Sequence, residues 1–462
     1  MQFRFLHVSD VHLGFRQYNE SFRASDFAQA FRDVIDRAIA AKVDFVIIGG
    51  DLFHKRAIDA QTLDQAFRRL ELLKHHGIPC IAIEGNHEMA YYGEEGSWLG
   101  FLRARGLITL LQTDFAEGVA SFAPLRNGRG GWFDPMPGVR VYGLGYKGAG
   151  TPAAVEMCAL ALDALPPDAR EGVAFTIFAA HTGVLGELPG DALSPTLHQW
   201  MAMRPHTDYV ALGHIHKPFE KDDWLYNPGS LETCAANEWA WNDRAALLVE
   251  VDTDKAPGPE RTRVTRIKPE RRPFARFQIK TDLHGDAEAL ETACTEKFTQ
   301  RRAEMGVLTD DTKPMVDIIL DGVLGFEQAL LNLHAIEESA RSILEAAHVQ
   351  VKNFAIPKSG ARIDPDHYVR EDVERGVFVD LLAKVTQFAD NPDEWASVAI
   401  TVKNMANVPE PPERIVDELA TMTQAIADGT FNGHPSPADL TAEETGVNVA
   451  RVYAPTSITP AE

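Results

Sequence analysis

Cysteine is scarce. The 462 residues include only Cys80, Cys158, Cys234 and Cys294, none close to another and none in a CxxC pair. That argues against a disulfide framework or a zinc–thiolate module and suits a reducing cytosol. Long apolar runs are also missing. No stretch of 18 apolar residues occurs, so no membrane span is expected. The start, MQFRFLHVSD, lacks the apolar core of a signal peptide and reads as a strand, so the expected location is the cytoplasm. No solenoid-period repeat is found. Positive charge is short as well: 45 Lys and Arg stand against 67 Asp and Glu, a net charge of -22. Proteins that grip nucleic acid through phosphate contacts are usually basic. Any DNA contact here must come from a local basic strip, a basic partner, or bound cations.

What is present is an ordinary globular mix, 45% apolar and 24% charged, long enough for two or three domains. Apolar runs predict strands at Phe3–Ser9, Asp44–Ile48, Pro79–Glu84, Arg140–Leu144, Ala174–Ala180, Asp208–Leu212 and Ala245–Val251. Helices are predicted at Ser25–Ala40 and Ala60–His75. The second carries Leu63, Ala66, Phe67, Leu70 and Leu73 at helical spacing. Strands alternating with helices point to an α/β layered core over residues 1–255. After the turn Asp254–Pro259, residues 260–357 read as a small α+β domain, with strands at Arg276–Thr281, Met315–Leu320 and Val349–Ile356 and helices at Asp286–Arg302 and Ile336–Ala347. A helical segment follows over 365–428. Its first helix, Tyr368–Phe388, carries an apolar stripe of Val373, Val377, Phe378, Leu381, Leu382, Val385 and Phe388, and its second spans Glu413–Ala427. Residues 429–462 are rich in Pro, Ser, Thr and Ala, and are expected to be disordered.

Five short segments carry candidate chemistry: SDVHLG (Ser9–Gly14), GGDLFH (Gly49–His54), EGNHE (Glu84–Glu88), AAHTG (Ala179–Gly183) and GHIH (Gly213–His216). Each begins where a predicted strand ends, so adjacent strands would deliver all five to one edge of the core. Carboxylate, imidazole and amide oxygen are the donors that Mn, Fe and Zn dications accept. Asp10 and His12 are two apart, as are His214 and His216, so each pair can face one side of an extended chain. Asp51 is suited to bridge two ions. Ions ~3.5–4 Å apart would hold a phosphate, lower the pKa of a bridging water and stabilise the leaving oxygen. Any one of these segments alone is common by chance and usually structural. Five in order hold six of the sixteen histidines, which independent coincidence explains poorly.

This ordered set resembles that of the calcineurin-like metallophosphoesterases. Within them the chain is most similar to the SbcD-type nuclease subunits of double-strand-break repair complexes, in their archaeal form. The supporting text is Ser9–Phe31, GGDLFHKR, and Asp208–Phe219 followed by YNPGSLE (Tyr226–Glu232). The match covers residues 1 to about 250, and the remainder by arrangement only. The resemblance implies a four-layer α/β/β/α core with a small α+β cap and C-terminal helices. It implies two divalent metals, expected to be Mn2+, one held by Asp10, His12, Asp51 and His216 and the other by Asp51, Asn86, His181 and His214. His87 would protonate the leaving sugar oxygen or stabilise the transition state. His54 would contact the scissile phosphate or position the strand, although many bacterial members have Asp at this position. The implied activity is hydrolysis of DNA phosphodiesters, as a double-strand exonuclease and single-strand endonuclease. Residues 368–427 would bind an SMC-like coiled-coil ATPase of the SbcC type. A homodimer is implied, with Gln61–His75 and Glu88–Leu102 as candidate surfaces.

Two stretches bear on DNA directly. Phe15, Arg16, Gln17 and Tyr18 form a loop with aromatic and basic groups. Between Arg261 and Lys280, eight basic residues (Arg261, Arg263, Arg266, Lys268, Arg271, Arg272, Arg276, Lys280) face a single acid, Glu270. The alternative is a solvated strand face. Rival readings of the whole chain are another phosphoesterase of the same superfamily acting on a small phosphodiester or a phosphoprotein, a scaffold that has lost its metals, and an anti-phage defence nuclease.

Overall fold

The computed structural model describes residues 1–89, 96–357, 370–383, 385, 387–406 and 412–431. The expected disordered tail lies outside them from residue 432 onward. So do residues 365–369 of the helical segment and 90–95 of a candidate dimer surface. The chain divides into two compact units. The first comprises Met1–Phe277, Thr295–Ile318 and Ile336–Gln350, and the second Gln278–Cys294, Ile319–Ala335 and Val351–Glu462.

Two sheets form the heart of the first unit. One has seven strands in the order Thr262–Ile267, Ala246–Asp252, Gln2–Val8, Phe45–Ile48, Cys80–Ala82, Thr109–Leu111 and Arg129–Gly130. The other has six, in the order Phe219–Lys221, Leu225–Asn227, Tyr209–Leu212, Phe175–Ala180, Val139–Leu144 and Trp132–Met136. Successive side chains of a strand point to opposite faces, and here both faces are buried. Phe3, Phe5, Phe45, Ile47 and Ile81 pack against Val141, Phe175, Ile177 and Tyr209 of the other sheet. Phe5 stacks on Phe45 at 5.0 Å and meets Tyr209 edge-on at 5.2 Å. Leu6, Val8, Val46 and Ile48 face the other way, onto Phe31, Val34, Ile35, Leu70 and Leu73. Those residues line one side of the helices Ser21–Ala40 and Ala60–His75; Asp59 caps the second by accepting from the Thr62 amide at 2.8 Å. Across the molecule Leu144, Phe178, Ala180 and Leu212 pack on Val155, Cys158, Leu162 and Trp200. Helix, sheet, sheet, helix is the four-layer order expected from the sequence.

Beyond this core, Phe274–Lys280, Met315–Val323 and His348–Ile356 make a three-stranded sheet in that order. In the second unit three helices follow: Arg370–Leu382, Pro392–Ala406 and Pro412–Ala427. The first ends six residues short of the predicted Phe388, because Phe388 turns back to pack its ring on Trp395 at 4.9 Å. The middle helix is absent from the sequence reading. Val398, Met422 and Ile426 form a small core between it and the last helix. Val377, Leu381, Val416 and Leu419 stay exposed. Among the described residues no helix is long and apolar enough to cross a membrane.

Candidate metal centre

The parallel strands end level with one another. Val8 pairs with Ile48 and Ile48 with Ala82, while in the other sheet Ala180 pairs with both Leu144 and Leu212. The five segments therefore emerge at one edge, where strand ends in α/β layers present ligands. Asp10, His12, Asp51 and His181 are each at most 1% exposed. Two carboxylates can be kept that deep only if paired, hydrogen-bonded or bound to cations.

Ring orientation is fixed at two imidazoles. His181 Nδ1 donates to the Gly49 carbonyl at 2.7 Å. Its Nε2 then points at Asn86 Oδ1 (3.1 Å) and Asp51 Oδ2 (3.3 Å). His216 Nδ1 donates to Glu238 Oε1 at 2.7 Å, and its Nε2 faces His12 Nε2 at 3.0 Å. His214 Nδ1 lies 3.1 Å from the same Asn86 oxygen. Asp10, Asp51 and His12 bring their ligand atoms within 4.8 Å of each other. Carboxylate and amide oxygens and ring nitrogens this close need protons or cations between them. Two carboxylates, an amide oxygen and four imidazoles fit two dications of the Mn, Fe or Zn kind. Metal-ligating histidines typically donate the other ring nitrogen in this way.

The charges follow from the same geometry. Burial opposes a charge on His181, but Asp51 and then Asp10 outweigh it and raise its pKa to about 9, so the carboxylates draw a positive charge to this ring that a metal ion at Nε2 would supply in place of the proton. Burial alone would raise Asp51; His181, His12 and His87 outweigh it and hold the carboxyl well below its usual range. Burial, then the neighbouring histidines, lowers His12 strongly and takes His214 to about 4. Both are neutral near pH 7, as a ligand must be.

The backbone is strained at four of the seven positions. Asp10, His12, Asp51 and His214 all have positive φ, between 51° and 77°. Each costs on the order of 1 kcal/mol and persists only where the surroundings enforce it. Glycine makes the close approach possible: a Cβ on Gly85 would collide with the Asp51 carboxylate, and one on Gly50 with the His181 ring.

Several residues that hold this arrangement were not singled out from the sequence. Glu88 is buried and accepts from the amides of Asp51 (3.1 Å), Phe53 (2.9 Å) and Gly85 (3.2 Å), tying two ligand loops together. Burial and the Asp51 charge raise its pKa to about 8. Glu238 orients His216 and is itself gripped by Arg244 Nη2 at 3.1 Å. Ser9 Oγ donates to Asp10 at 2.6 Å. Cys234 lies with His12 and His216, all three ligand atoms within 4.8 Å.

His54 and His87 occupy the solvent side. His87 Nδ1 donates to the His54 carbonyl at 2.7 Å, and its Nε2 sits 4.0 Å from Asp51 Oδ2. The side chain is 35% exposed. His54 stacks on Phe15 at 3.7 Å. Burial, then His87 and Lys55, lowers its pKa to about 4, so it is neutral at pH 7. Beside it opens a cleft of about 560 Å³ lined by Phe15, Arg16, Tyr18, His54, Lys55 and Asp59, among others.

The candidate DNA contacts are scattered. Arg16 is exposed, 3.2 Å from Asp59, and Tyr18 stacks on His348 at 4.7 Å. Along the edge strand, Thr262 is level with Phe3 and Arg266 with His7. Arg261 and Arg263 therefore sit at the end away from the metal centre; five residues at ~3.3 Å put Arg261 roughly 17 Å behind Arg266. Arg261 pairs with Asp208, Arg266 with Glu220, and Lys268 with Asp243. Arg263 is exposed and Arg271 partly buried. Arg272 is a correction to the sequence reading. It is buried, held by Asp26 at 2.7 Å and by the Asp310 and Lys313 carbonyls, so its guanidinium is not presented to a phosphate.

Residues 3–218 match the family described as calcineurin-like phosphoesterase. The chain is 28% identical to the DNA double-strand break repair protein Mre11 of Haloferax volcanii, over 80% of its own length and 81% of that protein. It is 29% identical to the protein of the same name from Aeropyrum pernix, over 68% and 72%. A shorter stretch is 39% identical to that of Archaeoglobus fulgidus, over 23% of this chain and 24% of the relative.

Proposed function

We propose that this chain, whose residues 3–218 match the calcineurin-like phosphoesterases, is a metal-dependent DNA nuclease acting in double-strand-break repair or DNA-end processing. The observation that carries the chemistry is the convergence of ligand lone pairs around Asp51, with His181 and His216 locked by their Nδ1 hydrogen bonds. Asp10, His12, Asp51 and His216 would hold one ion, and Asp51, Asn86, His181 and His214 the other. Two divalent ions there, Mn2+ in our reading, would polarise the phosphate and lower the pKa of the attacking water. His87 has its Nδ1 tied to a carbonyl and its Nε2 facing the centre, so a protonated ring can hand a proton to the leaving sugar oxygen. Neutral His54, stacked on Phe15, orients the strand by hydrogen bonding and stacking and adds no charge.

DNA as substrate is supported by the names of the relatives and by the cleft beside His54. The basic groups that can serve it are Arg16, Arg266, Lys268 and Arg271, toward the metal edge, with Arg263 further back. We assign residues 1–255 to catalysis, 260–357 to a cap that orients DNA, and 365–428 to docking an SMC-like ATPase of the SbcC type. The exposed Val377, Leu381, Val416 and Leu419 support that docking role. A cytoplasmic homodimer completes the reading.

The net charge of -22 favours a second reading, a phosphoesterase for small phosphodiesters. Metal-loaded protein assayed on linear duplex DNA and on a small aryl phosphodiester separates the two. Duplex cleavage that His87→Ala abolishes is expected; turnover of the small ester alone would overturn the DNA assignment.

A further inference from the structure

We propose that Cys234 is an additional ligand of the cation shared by His12 and His216, and that it gives this position a preference for thiophilic dications such as zinc or cobalt over manganese. The inference rests on the metal-centre reading above, adds a ligand to it, and at this one position replaces Mn2+ as the ion that the donors fit.

Three ligand types meet at this point. The Cys234 sulfur and one nitrogen from each of His12 and His216 all lie within 4.8 Å of one another. A small shift brings them onto one ion at the usual ~2.3 Å to sulfur and ~2.0 Å to nitrogen. Cys80, Cys158 and Cys294 are buried, whereas Cys234 is only partly covered.

The loop that presents the thiol is held from several directions. The Cys234 amide donates to Glu238 Oε2 at 2.9 Å, the same carboxylate whose Oε1 accepts from His216. Arg244 donates to the Glu232 carbonyl at 2.8 Å and the Glu238 carbonyl at 3.1 Å. Arg23 donates to Glu232 Oε2 at 2.5 Å and the Thr233 carbonyl at 3.1 Å. Two buried arginines thus fix the backbone on both sides of Cys234. The thiol has a weak contact, 3.6 Å to the Glu232 carbonyl, which costs little to give up, and it also hydrogen-bonds with the His216 side chain. On metal binding the S–H proton leaves to solvent and the thiolate becomes the donor. Sulfur is soft, and the remaining donors are imidazole, carboxylate and amide oxygen, so only this position gains affinity for a thiophilic ion.

Cobalt(II) titration of the full chain, followed by absorption, tests this. Visible d–d bands report that the imidazole and carboxylate centre binds metal. A near-ultraviolet thiolate-to-cobalt charge-transfer band reports sulfur ligation. Both are expected in the wild type, and only the charge-transfer band should vanish in Cys234→Ser. Zinc affinity relative to manganese should fall at least about tenfold in that variant, the lower bound for losing even an outer partner of a metal site. Visible bands without charge transfer in the wild type overturn the thiol ligand and leave the metal centre standing. Charge transfer that survives in Cys234→Ser overturns it too. If no visible bands form, the metal-centre reading fails and the proposal with it. Circular dichroism of Cys234→Ser at full helical signal keeps loss of the band from being loss of fold.

Discussion

The two sides of the metal centre are built by different rules. On the buried side, His181 and His216 each spend Nδ1 on a fixed acceptor, the Gly49 carbonyl and Glu238, and Glu88 ties the Asp51 loop to the Gly85 loop. On the solvent side, His54 stacks on Phe15 and lies 5.1 Å from the His87 ring, and His87 is tied by an Nδ1 hydrogen bond to the backbone of His54 itself. A ligand has to keep its lone pair aimed, and His181 and His216 each have the second ring nitrogen fixed by a hydrogen bond. His87, the proton donor we propose, is anchored to His54, whose own ring rests on Phe15. The difference predicts that substitutions on the two sides fail in different ways.

The largest effect should come from the solvent side. His87→Ala removes the group we propose as general acid, an expected loss of roughly 10²–10⁴-fold in kcat. Metal content by mass spectrometry should stay at the wild-type value, because the ring donates to His54 and contributes no hydrogen bond that orients His181 or His216. A variant that also loses metal would place His87 on the ligand side and erase the distinction. Glu238→Gln is the converse experiment. It weakens the carboxylate that orients His216 and should lower metal affinity about 10–100-fold. At saturating metal, kcat should return to within a few-fold of wild type. Titrating metal at fixed substrate separates affinity from turnover, and a kcat that stays low at saturation counts against a purely orienting role.

Much of the ligand side was legible because its signals are local. A strand that ends in an apolar run and hands over to Asp-x-His or Gly-His-x-His announces both the edge and the donors. What holds those donors was not legible. Glu88 lies inside the EGNHE segment but acts on amides 35 and 37 residues away, and Glu238 acts on an imidazole 22 away, so the local sequence does not reveal these partners. The basic strip misled in the opposite direction. Residues adjacent in sequence read as a single patch, but Arg261 and Arg266 lie at opposite ends of one edge strand, and Arg272 is turned inward to Asp26. The helix Pro392–Ala406 carries a proline at its start and Asp393 and Glu394 in its first turn, a standard helix opening that was overlooked. Its neighbour was drawn too long because Val385 and Phe388 continue the apolar spacing after the backbone has turned.

The smallest expected effect probes the stack. Phe15 lies 3.7 Å from the His54 ring at an interplanar angle of 19°, and His54 has its carbonyl on His87. Phe15→Leu keeps the bulk and removes the aromatic face, a loss of about 0.5–1.5 kcal/mol, or roughly 2–10-fold. If the stack positions His54 for the DNA strand, the change should appear in KM for duplex DNA. kcat for a small phosphodiester, which is too short to reach Phe15, should hardly move. An equal drop on both substrates would mean that Phe15 acts on the chemistry through His54 and His87, and the solvent side would then be as rigidly coupled as the ligand side.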